Sequence, residues 1–228
     1  MSRSKPRTTN QNPASKFISL SGKTGKFSYW DKEKSESVNL EYPIVFLPLD
    51  VLSTIKGFSK KEMSGIYSNE VHNLGKEILT VKIFDKGQIA EGLYNKIKDS
   101  VKNQGGKYCR SVYAMMYFDE QPEIVNFQFI GASLGAWIEF ENAHSIYDGA
   151  VKITGVKPAK TGATEYFIPE FTTNTVSKES TATAFELDQQ LQKYLTEYKS
   201  NQTSEEKPDE KNLVDPEHPS ANDDEIPF

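Results

Sequence analysis

A β-dominated barrel bridged by one helix and followed by an unfolded acidic tail is the architecture this sequence predicts. Three observations predict it. Only 36% of the 228 residues are hydrophobic, yet 13 Phe and 11 Tyr are among them, so rings carry the apolar mass and a disordered part dilutes an ordered one. Most apolar runs are short, bounded by Pro or Gly, and several alternate with period two, as strands do. The last 29 residues hold nine acids, two lysines and Pro208, Pro216 and Pro219, which bury too little apolar surface to offset the entropy of ordering them.

In chain order, residues 1–25 read as a basic flexible arm. Lys26–Asp31 (KFSYWD) and Leu40–Leu49 (LEYPIVFLPL) are extended, the second interrupted by Pro43 and Pro48 as an edge strand is. Gly65–Val71 and Glu77–Phe84 follow, and alternation in the latter puts Leu79, Val81 and Ile83 on a core face. Ile89, Leu93, Ile97 and Val101 recur every fourth residue, with Gly105 and Gly106 just beyond, which predicts an amphipathic helix over 88–102. Lys107–Asp119 and Glu123–Ile130 are ring-rich strands, and Gly131–Asn142 spaces Leu134, Trp137 and Ile138 as a short helix would. Ala150–Val156 and Thr164–Phe171 flank a mobile basic loop, Lys157–Ala163 (KPAKTGA). Thr183-x-x-Glu186 reads as a capping box opening a helix that ends near residue 199.

A β-rich body with one helix between its third and fourth core strands fits the oligonucleotide-binding (OB) fold, a five-stranded Greek-key barrel, here elaborated with extra strands and helices over residues 26–199. Residues 64–72, 76–84, the helix 88–102 and 107–118 would supply its middle and 149–156 a closing strand. A β-sandwich is the alternative.

One cysteine, Cys109, and three histidines exclude disulfide frameworks and zinc clusters, so neither metal nor cofactor is expected. No apolar run approaches the roughly 18 residues that span a bilayer, and a cytoplasmic protein is expected. Ser21–Lys26 (SGKTGK) contains Gly-Lys-Thr, but a phosphate loop needs glycine five positions before Gly22, where Phe17 stands. Cys109 lies mid-strand with no base beside it, and Glu139 and Glu141 form no supported acid–base pair, so no enzyme is predicted.

Charge distribution says more. Residues 200–228 carry −7, residues 1–34 carry +6, and the 199 residues before the tail carry +2, within a total of −5. Along the body, bases interleave with rings: Lys26 with Tyr29 and Trp30; Lys82 with Phe84; Lys107, Tyr108 and Arg110 with Tyr113; then Lys152, Lys157 and Lys160. Unpaired nucleic acid asks for that combination, because bases stack on rings while phosphates need positive charge. These twelve are the candidate single-stranded DNA contacts.

The chain closes with Asp223, Asp224, Glu225, Ile226, Pro227 and Phe228. This resembles the C-terminal tip of bacterial single-stranded DNA-binding proteins, in which a short acidic run precedes a terminal Ile-Pro-Phe; Glu225 stands where a third aspartate is usual. The ordered body is far longer than that family's compact OB domain, and the linker is not rich in Gly and Gln, which points to a divergent, phage-encoded relative in a bacterial host cytoplasm. The resemblance implies that Asp223–Phe228 docks into basic-rimmed apolar pockets on replication, repair and recombination proteins. The expected function is sequence-independent coating of single-stranded DNA, with a homo-oligomer possible. The rivals are a phage annealing or regulatory protein for RNA or duplex DNA, and an adaptor that displays its tail without binding nucleic acid.

Overall fold

The computed structural model describes residues 11–202, with side chains through residue 199. The acidic tip lies outside the described residues, as does the basic cluster at Arg3, Lys5 and Arg7. The chain is mainly β: eleven strands and three helices are described. These are β1 (Lys16–Leu20), β2 (Phe27–Asp31), β3 (Glu36–Asn39), β4 (Ile44–Ser59), β5 (Ser64–Ser68), β6 (Leu79–Ile83), β7 (Gly87–Gly92), α1 (Tyr94–Asn103), β8 (Gly106–Phe118), β9 (Gln121–Ile130), α2 (Ala132–Ala143), β10 (Ala150–Thr161), β11 (Thr164–Asn174) and α3 (Lys178–Gln202). No described helix is long and apolar enough to cross a membrane.

The strands form an open mixed sheet in the order β3-β2-β1-β9-β8-β4-β5-β6-β7, with β10 joined to one end of β4 and β11 to β10. Every pairing is antiparallel except β1 with β9. The 16-residue β4 is the junction: it pairs with β10 over Ile44–Phe46, with β8 over Leu47–Gly57 and with β5 over Lys56–Ser59. It is therefore no edge strand. Pro48 is tolerated inside it because the register slips between Pro48 and Asp50, a bulge where the missing N–H breaks no ladder.

The strand pairing corrects other expectations too. Part of the stretch expected as a flexible arm is β1, which lies against β9 with Ile18 fully buried. The helix expected over 88–102 is split: Gln88–Glu91 pair with β6, the chain turns at Gly92 (φ 150°), and α1 begins only at Tyr94. The four-residue spacing survived the split because Ile89 and Ala90 of β7 and Ile97 and Val101 of α1 face one small core. The expected loop Lys157–Ala163 is instead the end of a continuous β10–β11 hairpin, closed by a two-residue turn with Gly162 at φ 59°. Helix α3 starts five residues before Thr183: the Ser177 hydroxyl accepts from the Ser180 N–H, while Thr183 donates back to the Glu179 carbonyl inside the helix.

Three apolar cores follow from this layout. The largest joins Ile18, Phe27, Phe46, Val112, Phe127, Phe129 and Ile153 from six strands to Leu134, Trp137 and Phe140 of α2. Trp137 stacks on Phe129 at 4.9 Å and meets Phe171 of β11 edge-on at 5.5 Å, so α2 is packed by rings on both sides. The second core lies between β5, β6, β7 and α1. In the third, Leu191 and Leu195 of α3 seat against Leu52, Tyr113 and Ile124 on the opposite face of β4, β8 and β9.

Candidate nucleic-acid interface

The alternation of β8 decides what its ring-and-base run can do. Tyr108, Val112, Ala114, Met116 and Phe118 turn toward the large core, while Tyr113 turns to the face that α3 covers. Tyr113, expected to face a DNA strand, is fully buried: its hydroxyl donates to Glu70 at 2.8 Å and accepts from Asn12 at 3.0 Å. Burial, and then the Glu70 carboxylate, hold its ionisation far above the ordinary tyrosine value. It presents no face to a base. Beside it the Ser111 hydroxyl donates to the other oxygen of Glu70 and accepts from Asn126 at 2.7 Å, completing a buried polar layer.

Arg110 is likewise committed within the body. Its guanidinium forks onto Glu141 of α2 at 3.0–3.3 Å and donates to Ser53 at 2.9 Å, so its charge fastens α2 to β8. Tyr108 is half-buried, its hydroxyl 3.0 Å from that of Ser53 and its ring 5.4 Å from Tyr94. With Leu74, Ile138 and Asn142 these residues line a groove of about 440 Å³ where α1 and the loop after Val71 meet the main body. Lys107 stands in register with Lys56 at the adjoining end of β8.

The remaining candidates are dispersed. Trp30, half exposed, stands on β2, whereas Tyr29 alternates inward to meet Phe118 edge-on at 5.8 Å beneath the Lys16 ammonium. Burial, aided by Asp31, Glu123 and Asp119, raises the Tyr29 ionisation. Lys26 is exposed and 3.4 Å from Glu41. Lys82 and Phe84 are half-buried at the β6 end of the small extension, and Lys152 is half-buried on β10 opposite Val45 and Thr172. Lys157 pairs with Glu170 at 2.6 Å and Lys160 with Glu165 at 4.0 Å along the hairpin.

That hairpin forms a second groove, of about 360 Å³, which sequence reasoning missed. One wall is Pro158, Ala159, Lys160, Glu165, Tyr166 and Phe167; the other is Gly22 and Lys23 of the turn joining β1 to β2. The available signal was the pair Tyr166-Phe167 just across a glycine turn from two lysines. It was lost because the strand was read as ending in a loop.

Cys109 is fully buried, and burial pushes its thiol up to about 12. No group of three or more His, Cys, Asp and Glu side chains able to hold a metal occurs among the described residues. No protein-family model, curated protein or solved structure matches the chain.

Proposed function

We propose that this protein binds single-stranded DNA without sequence preference through an OB-type body, protects it during replication, recombination and repair, and recruits partner proteins through its C-terminal tip. The observation that carries this reading is the order of elements around β4. Counted as β4, β8, β9, β10 and β11, the body has a helix, α2, between its third and fourth strands, and the fourth strand returns to pair with the first. That connectivity supports an OB Greek key, with α2 packed between its sheet layers. On this reading the OB strands differ from those expected from periodicity, and β5, β6, β7 and α1 form an insertion between the first two, with a core of their own.

Charge supports the same reading. Residues 56–107, which include that insertion, hold ten lysines against six acids, and the hairpin adds Lys157 and Lys160. A mobile positive surface beside exposed rings is what an unpaired strand needs, whatever its bases.

The test is a titration with fluorescent oligo(dT) at a series of salt concentrations, with duplex of the same length as competitor. Binding is expected to weaken with salt at a log–log slope of about −0.7 per phosphate neutralised, and duplex to compete poorly. An affinity indifferent to salt, or a preference for duplex, sinks the proposal.

A further inference from the structure

The turn Ser21–Lys26 and the β10–β11 hairpin lie far apart in sequence and side by side in the fold. Gly25 takes a left-handed conformation (φ 67°), and a Cβ placed on it would sit 2.8 Å from the Phe167 ring, so only glycine lets the turn lie this close to the hairpin. The turn is itself fixed: the Gly25 N–H donates to the Ser21 carbonyl at 2.9 Å, the Ser21 N–H to the Lys26 carbonyl at 2.9 Å, and the Tyr42 hydroxyl to the Gly25 carbonyl at 2.8 Å. The groove between these two walls is therefore preformed, with Lys23 at one lip, Lys160 at the other, and the cross-strand pair Pro158 and Phe167 on the hairpin face that carries Lys160, while Tyr166 alternates to the other face, where its hydroxyl lies 3.4 Å from Thr161.

We infer that this groove is a seat for a single nucleotide step of an unpaired DNA strand, with a base against the cross-strand pair Pro158 and Phe167 and the flanking phosphates at Lys23 and Lys160. The inference rests on the reading of the protein as a single-stranded DNA binder. Charge complementarity argues for this occupant. Lys23 and Lys160 are both exposed, and Lys160 is opposed only by Glu165 at 4.0 Å across solvent, a pair weak enough for a phosphate to displace. The glycine-lysine-threonine turn thus acquires a phosphate-binding role without being a nucleotide-hydrolysing loop. Its second wall comes from another part of the chain rather than from a following helix.

The experiment uses the full chain and fluorescent oligo(dT). Lys23→Ala combined with Lys160→Ala is expected to reduce the steepness of the log affinity against log salt line by about 1.4, the contribution of two phosphates. An equal charge loss at Lys178 and Lys193 on α3 should leave that slope unchanged. Phe167→Ala should weaken binding about 5- to 150-fold, the span expected for one lost base–ring stack, while Tyr166→Ala, on the other face of the hairpin, should leave it unchanged. Photocrosslinking of the unaltered protein to oligonucleotide carrying 5-iodouracil should label Phe167 in the β11 peptide, a readout independent of how any variant folds. If the parent binds oligo(dT) while the lysine variant keeps its slope and crosslinks map elsewhere, this seat is wrong and the broader reading stands. If the parent fails to bind even in dilute salt, both fall.

Discussion

Tyr113, Glu70 and Ser111 show how much a single strand position depends on what lies above it. A tyrosine in a run of rings and bases looks like a stacking platform, yet here a helix more than sixty residues later in the chain covers its face. Nothing within the strand itself could reveal that. Because the Tyr113 hydroxyl satisfies both Glu70 and Asn12, Tyr113→Phe should cost about 1–3 kcal/mol in urea unfolding with an unchanged m-value, and should leave oligo(dT) affinity alone. Glu77 gives a pH prediction. Burial alone would raise its carboxyl, but the backbone N–H groups of Asn73 and His72 and the Lys199 ammonium outweigh it and hold the group below the ordinary glutamate value. A carboxyl lowered in the folded state adds stability that is present above its unfolded value, about 4.3, and is lost as pH falls through the folded one. Thermal melts should therefore decline below about pH 4.3, and Glu77→Gln should flatten that decline; an identical acid limb in the variant would refute the assignment.

At the scale of elements, α3 is seated on the sheet by two buried leucines. Leu191 is fully buried and Leu195 nearly so, and polar contacts add to their grip: Tyr117 to Ser180 at 3.3 Å in the first turn, Gln192 to Asp50 at 3.0 Å beside Leu191, and Lys199 to Glu77 at 3.1 Å near the C-terminal end. Lys199 also donates to His72 Nδ1 at 2.9 Å, which leaves Nε2–H to donate to Asp50 at 3.0 Å. Leu191→Ala should thus destabilise by about 2–5 kcal/mol in chemical denaturation, the range for a deleted core leucine, whereas Phe185→Ala, at an exposed site on the same helix, should change stability by less than about 0.5 kcal/mol. Helix α2 was legible from Leu134, Trp137 and Ile138 because its ring face meets a ring-lined sheet, and β6 from the alternation of Leu79, Val81 and Ile83. The β7–α1 boundary was not, since strand and helix feed the same core and their apolar positions run on in one rhythm. The long hairpin was hidden for a different reason: its outer half lies beyond the main core, so Lys157, Lys160 and Glu165 could be polar without ceasing to be strand.

For the whole molecule, the strand types and the ring-rich core could be read from sequence, but not the topology. The choice of which strands make the main body depends on β4 pairing with β8 across an insertion of almost fifty residues. Charge segregation, by contrast, is visible in the chain itself: residues 56–107 hold ten lysines against six acids, and residues 200–228 hold nine acids against two lysines. That segregation carries the last prediction. On the proposed reading, Phe228 supplies a ring, Pro227 limits the backbone entropy lost on docking, Ile226 adds apolar area, and Asp223, Asp224 and Glu225 steer toward basic patches. On that same reading, a tethered anion of this kind competes with DNA phosphates at high effective concentration. Deleting residues 220–228 removes three acids, moving the net charge from −5 to −2. Oligo(dT) affinity should then stay level or rise, while capture of replication, repair and recombination proteins from host extract is abolished. The two readouts must separate for the division of labour to hold, because a deletion that destroyed DNA binding would place the tip inside the DNA site rather than beside it.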